Sequence, residues 1–293
     1  MTTGHSARLP TGALGTAFVV LWCTGYPVAR IALDHCGPFT LLVLRFGFAS
    51  LIYAALARYA QAPWPRGRQA LHTVLIGLLQ IALQFGGAYL AAALGVNVGL
   101  IALVISTMPI VTALFGLASG EPVLPLQWLG FVFGLGGVAL ALGASIHLGG
   151  GPGLGAYLAL AASLIGISLG TVYQKRCGAQ VDLRSGLALQ HVVATAALLP
   201  FALYEGLRLD SSVTLFVSLG WLVVINSLGG FGLFYVLLRR GAVNQVATLF
   251  FLMPPVTAVL DYLALGDVLT RWQVSGIGLA ALGVYLGTRP PPR

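Results

Sequence analysis

Two pairs of side chains that can bind a small molecule lie inside long apolar runs of the sequence. Gln80 and Gln84 are four residues apart, and so are Trp22 and Tyr26, so on a helix each pair shares one face. Amide groups both donate and accept hydrogen bonds, and aromatic rings add an apolar wall with a polar tip. These residue types bind an amphipathic solute without reacting with it. Further candidates of this kind in other apolar runs are Ser168, Tyr173, Asn226 and Tyr235.

The same residues also have structural explanations. Hydroxyl and amide side chains tie helices together inside a membrane, and aromatic residues serve as packing groups or as anchors at the membrane interface. Two long amides on one face are harder to hide than a single hydroxyl. The pattern therefore favours a cavity-lining role for Gln80 and Gln84 and leaves both explanations open for Trp22 and Tyr26.

Residues for covalent or metal chemistry are not arranged for it. The five histidines show no HExxH pattern, and no paired acids or GxSxG sequence is found. The three cysteines lack CxxC and metal-ligand spacing, and no P-loop sequence is present. We therefore predict no catalytic residue, no metal site and no cofactor, and no ATP-driven pumping by this chain alone.

Composition indicates which elements carry these residues. With 58% hydrophobic and 8% charged residues and a mean hydropathy of +0.94, the chain has too little polar surface for a soluble globule. The net charge of +8 lacks the basic stripe with interleaved aromatics that nucleic-acid binding needs. Hydropathy predicts an all-α integral membrane protein with ten transmembrane helices. They cover about 11 to 33, 38 to 60, 70 to 94, 97 to 119, 125 to 147, 153 to 175, 184 to 206, 212 to 237, 242 to 266 and 271 to 288.

An internal repeat divides the chain into two halves. The sequence MPIVTA at 108–113 returns as MPPVTA at 253–258, and each copy is followed by a glycine and an acid. We predict one five-helix repeat over residues 1–147 and a second over 148–293. Pro109 and the Pro254-Pro255 pair lie mid-span at equivalent positions, so they are predicted to kink spans four and nine, as static curvature or as hinges.

The basic residues predict the orientation of the chain. With the N-terminus in the cytoplasm, eleven Lys and Arg residues fall on that face, three (Arg30, Arg208 and Arg271) fall on the other, and Arg45 lies within a span. Both termini are then cytoplasmic, in the plasma membrane and, for a bacterium, the inner membrane. Because each repeat has five spans, the second copy enters the membrane from the opposite side. The repeats are predicted to be inverted.

Three charged residues inside the spans lie near the outer face. At 1.5 Å per residue, Arg30, Arg45 and Asp261 are roughly 5 to 10 Å from that boundary. An unpaired charge at this depth costs on the order of 2.5 kcal/mol or more, which favours an ion pair of Arg45 with Asp261. The pair could act in gating or be a purely structural tie, and Arg30 could instead extend to the interface.

These features resemble the EamA type of the drug/metabolite transporter superfamily. The resemblance rests on the doubled MPxVTA stretch, the Gly120-Glu121 and Gly266-Asp267 pairs, and Pro38 with Arg45. Glycine-rich spans follow both pairs, at Gly130, Gly134, Gly136 and Gly137, and at Gly276, Gly278, Gly283 and Gly287. The resemblance implies a ten-helix exporter of small metabolites, with a central cavity formed by spans one, three, four, six, eight and nine. The chain is most similar to bacterial exporters of aromatic and other neutral amino acids.

The function predicted from the sequence is export of a small metabolite by alternating access. A neutral or aromatic amino acid suits the polar residues named above, and the lipid bilayer is the other partner. Export of other metabolites or of cationic drugs, or a channel or structural subunit, remains the alternative, although spans one to four contain no acid at mid-depth for a cation. The oligomeric state and the driving ion stay open.

Overall fold

The computed structural model describes residues 11–96, 98–118, 120, 123–142, 152–240, 243–265 and 270–287. All regular elements in these ranges are helical, and the one β-bridge pairs Cys36 with Leu209. The first half contains α1 (Thr11–Cys23), α2 (Gly25–Leu33), α3 (Pro38–Tyr59), α4 (Arg68–Gly77), α5 (Gln84–Ala93), α6 (Val98–Ser106), α7 (Met108–Leu117) and α8 (Pro125–Leu142). The second half contains α9 (Leu154–Cys177), α10 (Leu183–Tyr204), α11 (Val213–Trp221), α12 (Phe231–Arg240), α13 (Val243–Thr248), α14 (Met253–Leu265) and α15 (Arg271–Gly287).

Six helical stretches in the described ranges are long and apolar enough to cross a membrane. They are Gly12–Leu33, Pro38–Tyr59, Arg68–Ala93, Leu154–Cys177, Leu183–Tyr204 and Val213–Arg240. Four shorter apolar helical stretches cover Leu103–Leu117, Pro125–Leu140, Val246–Thr257 and Val274–Gly287. The prediction of an all-helical membrane protein is confirmed. The number of ten spans remains a prediction, because the four shorter helices fall below the length that identifies a span.

The first long stretch is interrupted at Thr24, between α1 and α2. Pro27 has no N–H group, so it cannot bond the carbonyl of Cys23 one turn earlier, and its ring crowds that carbonyl. Asn226 from the second repeat fills the break: its Nδ2 donates to the carbonyls of Leu21 at 2.7 Å and Trp22 at 3.2 Å. A buried asparagine of the second repeat thus gives the carbonyls just before the interruption a hydrogen-bond donor.

Wide π-helical turns occur at equivalent places in the two repeats. One covers Leu78–Leu83 between α4 and α5, and the other covers Leu222–Gly230 between α11 and α12. Gln80 lies in the first and Asn226 in the second, 146 positions apart, which is also the separation of Tyr89 and Tyr235. Such turns often mark functional sites in membrane and soluble helices.

Glycines allow α8 and α15 to pack backbone to backbone. A Cβ atom on Gly130 would lie 2.7 Å from the carbonyl oxygen of Gly283, and one on Gly137 would lie 2.6 Å from that of Gly276. Gly134 and Gly287 are in similarly close contact with neighbouring elements. Glycines spaced four apart on α8 and α15 thus let the two helices pack tightly.

Contacts between connecting segments define two ends of the helix bundle. At one end, the backbone N–H of Gly37 donates to the Arg208 carbonyl at 2.9 Å, and His35 Nδ1 lies 3.1 Å from Asp210 Oδ2. We call this the His35 end. At the other, the Arg239 end, the Arg239 guanidinium donates to the Val181 carbonyl and Ser185 Oγ donates to the Pro63 carbonyl at 2.7 Å.

Candidate functional site

An aromatic cluster centred on Trp22 lies where α1 meets both repeats. The Trp22 ring centroid is 6.3 Å from that of Phe85 in the first repeat and 5.2 Å from that of Phe231 in the second. The cluster is completed by Phe18, Phe234 and Phe250. Trp22 lies near the end of α1, just before the interruption at Thr24. The arrangement supplies a wide apolar wall between the two halves of the chain.

A buried network of amide and hydroxyl groups lies on the Arg239 side of this cluster. Tyr235 Oη lies 2.7 Å from Gln80 Oε1 and 2.6 Å from Gln190 Oε1, so one hydroxyl proton serves two acceptors. Gln80 Nε2 donates to Thr171 Oγ1 at 3.0 Å, and Gln190 Nε2 donates to Gln174 Oε1 at 3.2 Å. All five side chains are buried. The network joins α9, α10, α12 and the first π-helical turn.

Two side-chain carbonyl oxygens, one on α5 where it packs on α9 and one in the second π-helical turn next to Trp22, are buried without a hydrogen bond. They are Gln84 Oε1 and Asn226 Oδ1, and neither has a partner among the described residues. The Nδ2 group of Asn226 is used by α1, as described above, so its oxygen is the free half of the amide. Buried acceptors of this kind cost free energy unless another donor reaches them. They are therefore places where a donor group of a bound molecule would be stabilised.

Arg45 on α3 is 5% exposed and lies against the same aromatic wall. Its Nε donates to Ser227 Oγ at 2.9 Å, and its guanidinium carbon lies 5.0 Å from the centroid of Phe85 and 5.4 Å from that of Phe46. No carboxylate among the described side chains is within ion-pair distance of it, since the His35 and Asp210 pair is the one such contact there. The side chain of Asp261 lies outside the described ones, so the predicted pair remains a prediction.

The structure separates the predicted binding residues into groups. Trp22 and Asn226 lie at the aromatic cluster, Gln84 packs against α9, and Gln80 and Tyr235 belong to the buried network. Tyr26 is 41% exposed, and its hydroxyl is close enough to Arg45 for the two groups to interact electrostatically. Phe231 connects the aromatic cluster to the buried network, because its ring centroid lies 5.2 Å from that of Trp22 and 6.3 Å from that of Tyr235.

The remaining candidates lie elsewhere. Ser168 is buried, and its hydroxyl has no partner in the described part of the chain. Tyr173 lies near the end of α9, where its hydroxyl is 2.5 Å from His72 Nδ1. Arg30 is exposed on α2. Pro109 follows an interruption at Thr107, and Pro254 and Pro255 follow a short 3₁₀ segment, Leu249–Leu252.

Sequence reasoning did not single out Gln190, which lies in the apolar run of α10 and is buried in the network. His191, the next residue, is buried with its ring centroid 5.6 Å from that of Phe46 and 5.4 Å from that of Phe231. It is 146 positions after Arg45, so the repeat marks it in the sequence as the counterpart of that arginine, but only the fold shows the aromatic rings around it. Ser227 is visible in the sequence as a polar residue beside Asn226, and its bond to Arg45 is known only from the fold.

A cavity lies near the His35 end, away from the residues named above. It has a volume of about 530 Å³ and lies between α3, α5 and α10, with mainly apolar residues around it. Glu205 is the one acid that borders it, and its carboxylate accepts hydrogen bonds from the backbone of Phe39 and Thr40. Because that carboxylate is already used to cap α3, the cavity offers little for recognition of a polar solute.

Comparisons with known proteins give consistent results. The model of the EamA-like transporter family matches residues 11–143 and again residues 153–289. The uncharacterized inner membrane transporter YedA of Escherichia coli strain K12 is 29% identical over 275 residues, which is 93% of this chain and 88% of that protein. A probable amino-acid metabolite efflux pump of Salmonella typhimurium strain LT2 is 26% identical over 292 residues, covering 94% and 93%. A solved crystal structure superposes with a TM-score of 0.78 over 96% of this chain and 97% of that one, at 21% identity, which establishes the likeness of fold.

Proposed function

Because the chain belongs to the EamA-like transporter family, we propose that it is a secondary transporter that exports small metabolites by alternating access, with neutral or aromatic amino acids as its substrates. The family and the relatives establish a multi-pass membrane transporter with two repeats. Our proposal adds the substrate, the direction of transport and the mechanism of alternating access. A relative named as an amino-acid metabolite efflux pump, at 26% identity, supports the choice of substrate.

One observation carries this proposal: the aromatic cluster lies between the repeats, and Asn226 of the second repeat reaches the backbone of α1 at Trp22. Trp22 supplies an apolar wall, and Asn226 Oδ1 and Gln84 Oε1 are buried acceptors without a described partner. An amino acid has an ammonium group that needs acceptors and a side chain that favours apolar contact, and leaving either charged end unpaired would cost several kcal/mol. We propose that the amide oxygens accept from the ammonium group and that Trp22 contacts the apolar side chain.

We also propose ten spans in two inverted repeats, with both termini in the cytoplasm. The four shorter helices occupy the positions of predicted spans four, five, nine and ten. The two bundle ends support the proposed sidedness. The connection that contains His35 pairs with the one that contains Asp210, both predicted outside, and Pro63, Val181 and Arg239 meet at the end predicted inside. The relatives named as inner membrane transporters support placement in the bacterial inner membrane.

Alternating access requires helices that can bend and an end that can close. The interruptions near Pro27 and Pro109 and the two π-helical turns supply places where spans can change direction. The Tyr235 network seals the Arg239 end in this structure, since its five side chains are buried. Toward the opposite end, we propose that Arg45 pairs with Asp261 while no solute is bound.

A second candidate, export of cationic drugs, is disfavoured by the charge of this region. Arg45 is buried beside the aromatic wall and would repel a cation. A channel or structural subunit would not need free acceptors next to an aromatic wall.

The proposal is tested with purified protein in proteoliposomes and a panel of radiolabelled amino acids, with and without a pH gradient. We expect saturable flux of neutral amino acids with large side chains and little flux of lysine or arginine. Dependence on the gradient would identify proton coupling. Absence of saturable flux for every amino acid would contradict the proposed substrate class.

A further inference from the structure

Arg45 is a buried cation that forms one hydrogen bond with the side chains that the structure describes. A guanidinium carries five N–H donors. One of them, on Nε, donates to Ser227 Oγ at 2.9 Å, and among the described residues no other acceptor lies within hydrogen-bond distance of the group. Phe46 and Phe85 lie against it at 5.4 and 5.0 Å from guanidinium carbon to ring centroid. The bond to Ser227 and the ring contacts fix the orientation of Arg45 and leave its two terminal nitrogens available.

Two tyrosines from neighbouring helices lie beside this guanidinium. The hydroxyl groups of Tyr26 on α2 and Tyr89 on α5 are both close enough to Arg45 for electrostatic interaction, and to one another. Tyr26 is nevertheless 41% exposed, whereas Arg45 is 5% exposed. The Tyr26 hydroxyl thus lies at the buried guanidinium, while another part of the same side chain reaches the surface of the helix bundle.

The aromatic wall continues directly from this cation. Phe85 contacts the Arg45 guanidinium and also lies 6.3 Å from Trp22, centroid to centroid. A molecule with an anionic group at Arg45 therefore has its apolar part against Phe85 and Trp22. A guanidinium group binds the planar, two-oxygen group of a carboxylate through two parallel hydrogen bonds.

We propose that Arg45, with the hydroxyl groups of Tyr26 and Tyr89, binds the carboxylate group of the transported solute. This inference deepens the proposed function and rests on it for the identity of the solute as an amino acid. It adds that the carboxylate, rather than the ammonium group, dominates recognition at this site. A carboxylate at this position neutralises a buried charge that is costly when alone.

The test compares ligands that differ in one group. Purified protein in detergent is titrated with L-phenylalanine, with 3-phenylpropionate, which keeps the carboxylate and lacks the amine, and with L-phenylalaninamide, which keeps the amine and lacks the carboxylate. Binding is measured as stabilisation against thermal unfolding. We expect the two carboxylates to bind about ten- to a hundredfold more tightly than the amide, as charge-assisted hydrogen bonds require. Equal affinity for all three would overturn the inference.

Variants separate a binding role from a structural one. Arg45→Met should remove the preference for carboxylates over the amide, and Arg45→Lys should retain part of it, because a lysine keeps the charge without the paired donors. Tyr26→Phe, which removes only the hydroxyl beside Arg45, should weaken carboxylate binding about threefold to tenfold. Arg208→Gln, which removes a positive charge from the exposed surface of the His35 end, is the matched control and should leave the preference unchanged. A loss of the same size in the control would assign the effect to surface charge and overturn the inference.

The competing partner of Arg45 is Asp261. We expect Asp261→Asn to keep the preference for carboxylate ligands over the amide. If this variant and Arg45→Met lose that preference equally, Arg45 belongs to a gating pair and the inference is overturned. The outcome for the proposed function is separate. Binding of 3-phenylpropionate without transport of any amino acid would retain the carboxylate site and reject amino-acid export. Equal transport of L-phenylalanine and its amide would retain export and reject the carboxylate site.

Discussion

At the scale of single residues, the two glutamines of the first repeat have different environments. Gln80 is held by Tyr235 at 2.7 Å and donates to Thr171 at 3.0 Å. The Oε1 atom of Gln84 is buried and has no partner in the described structure. Gln80 thus has a structural role in addition to any contact with solute, and Gln84 is the better probe of binding.

Gln84→Leu is predicted to reduce transport markedly while the protein folds normally. The change removes an acceptor that no described residue uses and places an apolar side chain in an apolar setting. Gln80→Leu should reduce transport as well, but with a loss of stability of about 1–3 kcal/mol, because Tyr235 and Thr171 lose a buried partner. Flux and expression are measured together for both variants. If Gln84→Leu folds and exports at the parental rate, this face only packs helices.

The sequence indicated which residues matter here but not how they are arranged. The spacing of Gln80 and Gln84 predicted two stacked amides on a regular α-helix. The π-helical turn at Leu78–Leu83 changes the path of the helix between them, and no propensity or spacing rule applied to the sequence marked it. The partner of each amide comes from a distant part of the chain, so only the packed fold specifies it.

At the scale of helices, sequence prediction was most accurate for the long spans. The six long helical stretches end within about three residues of their predicted boundaries, because runs of more than twenty apolar residues have one explanation. The interruption at Thr24 was not predicted. Its cause, Pro27, was visible in the sequence, but the asparagine that satisfies the freed carbonyls lies some 200 residues away.

Gly283→Ala is predicted to weaken the packing of α8 on α15. The new Cβ would lie 2.7 Å from the Gly130 carbonyl oxygen, within a backbone contact that cannot yield without moving a helix. We expect a loss of about 1–3 kcal/mol, which is measured as a lower midpoint of thermal unfolding in detergent.

Gly278→Ala is the matched control on the same helix. A Cβ at Gly278 meets nothing within 4 Å, and alanine favours the helix more than glycine does. This variant should unfold at or above the parental temperature. Equal destabilisation by the two changes would show that the close approach of α8 and α15 contributes nothing specific.

At the scale of the whole molecule, the charge bias predicts one orientation, and the contacts at the two bundle ends group the connecting segments as this orientation requires. Arg66 is exposed in the connection after α3, which is predicted to be cytoplasmic, and Arg208 is exposed in the connection predicted to be outside. In a background without native cysteines, Arg208→Cys should react with an impermeant maleimide in intact cells. Arg66→Cys should react only after permeabilisation. Ready labelling at position 66 in intact cells would refute this orientation.

The native Cys36 thiol needs to be removed for this measurement even though it reacts slowly. Burial, and to a smaller degree the Glu205 carboxylate, raise the pKa of Cys36 to about 11. At neutral pH the reactive thiolate is therefore scarce, and its fraction grows as the pH rises toward that pKa. Labelling at alkaline pH would otherwise report Cys36 along with the introduced cysteine.

The central claim is that the two repeats carry a solute by alternating access, and counterflow tests it most directly. Proteoliposomes loaded with excess unlabelled L-phenylalanine are diluted into a trace of the radiolabelled amino acid. A carrier with one site that faces each side in turn exchanges label inward against the outward flux of unlabelled substrate. The account predicts a transient accumulation of label above its equilibrium level. Monotonic equilibration without an overshoot, for every neutral amino acid tested, would contradict it.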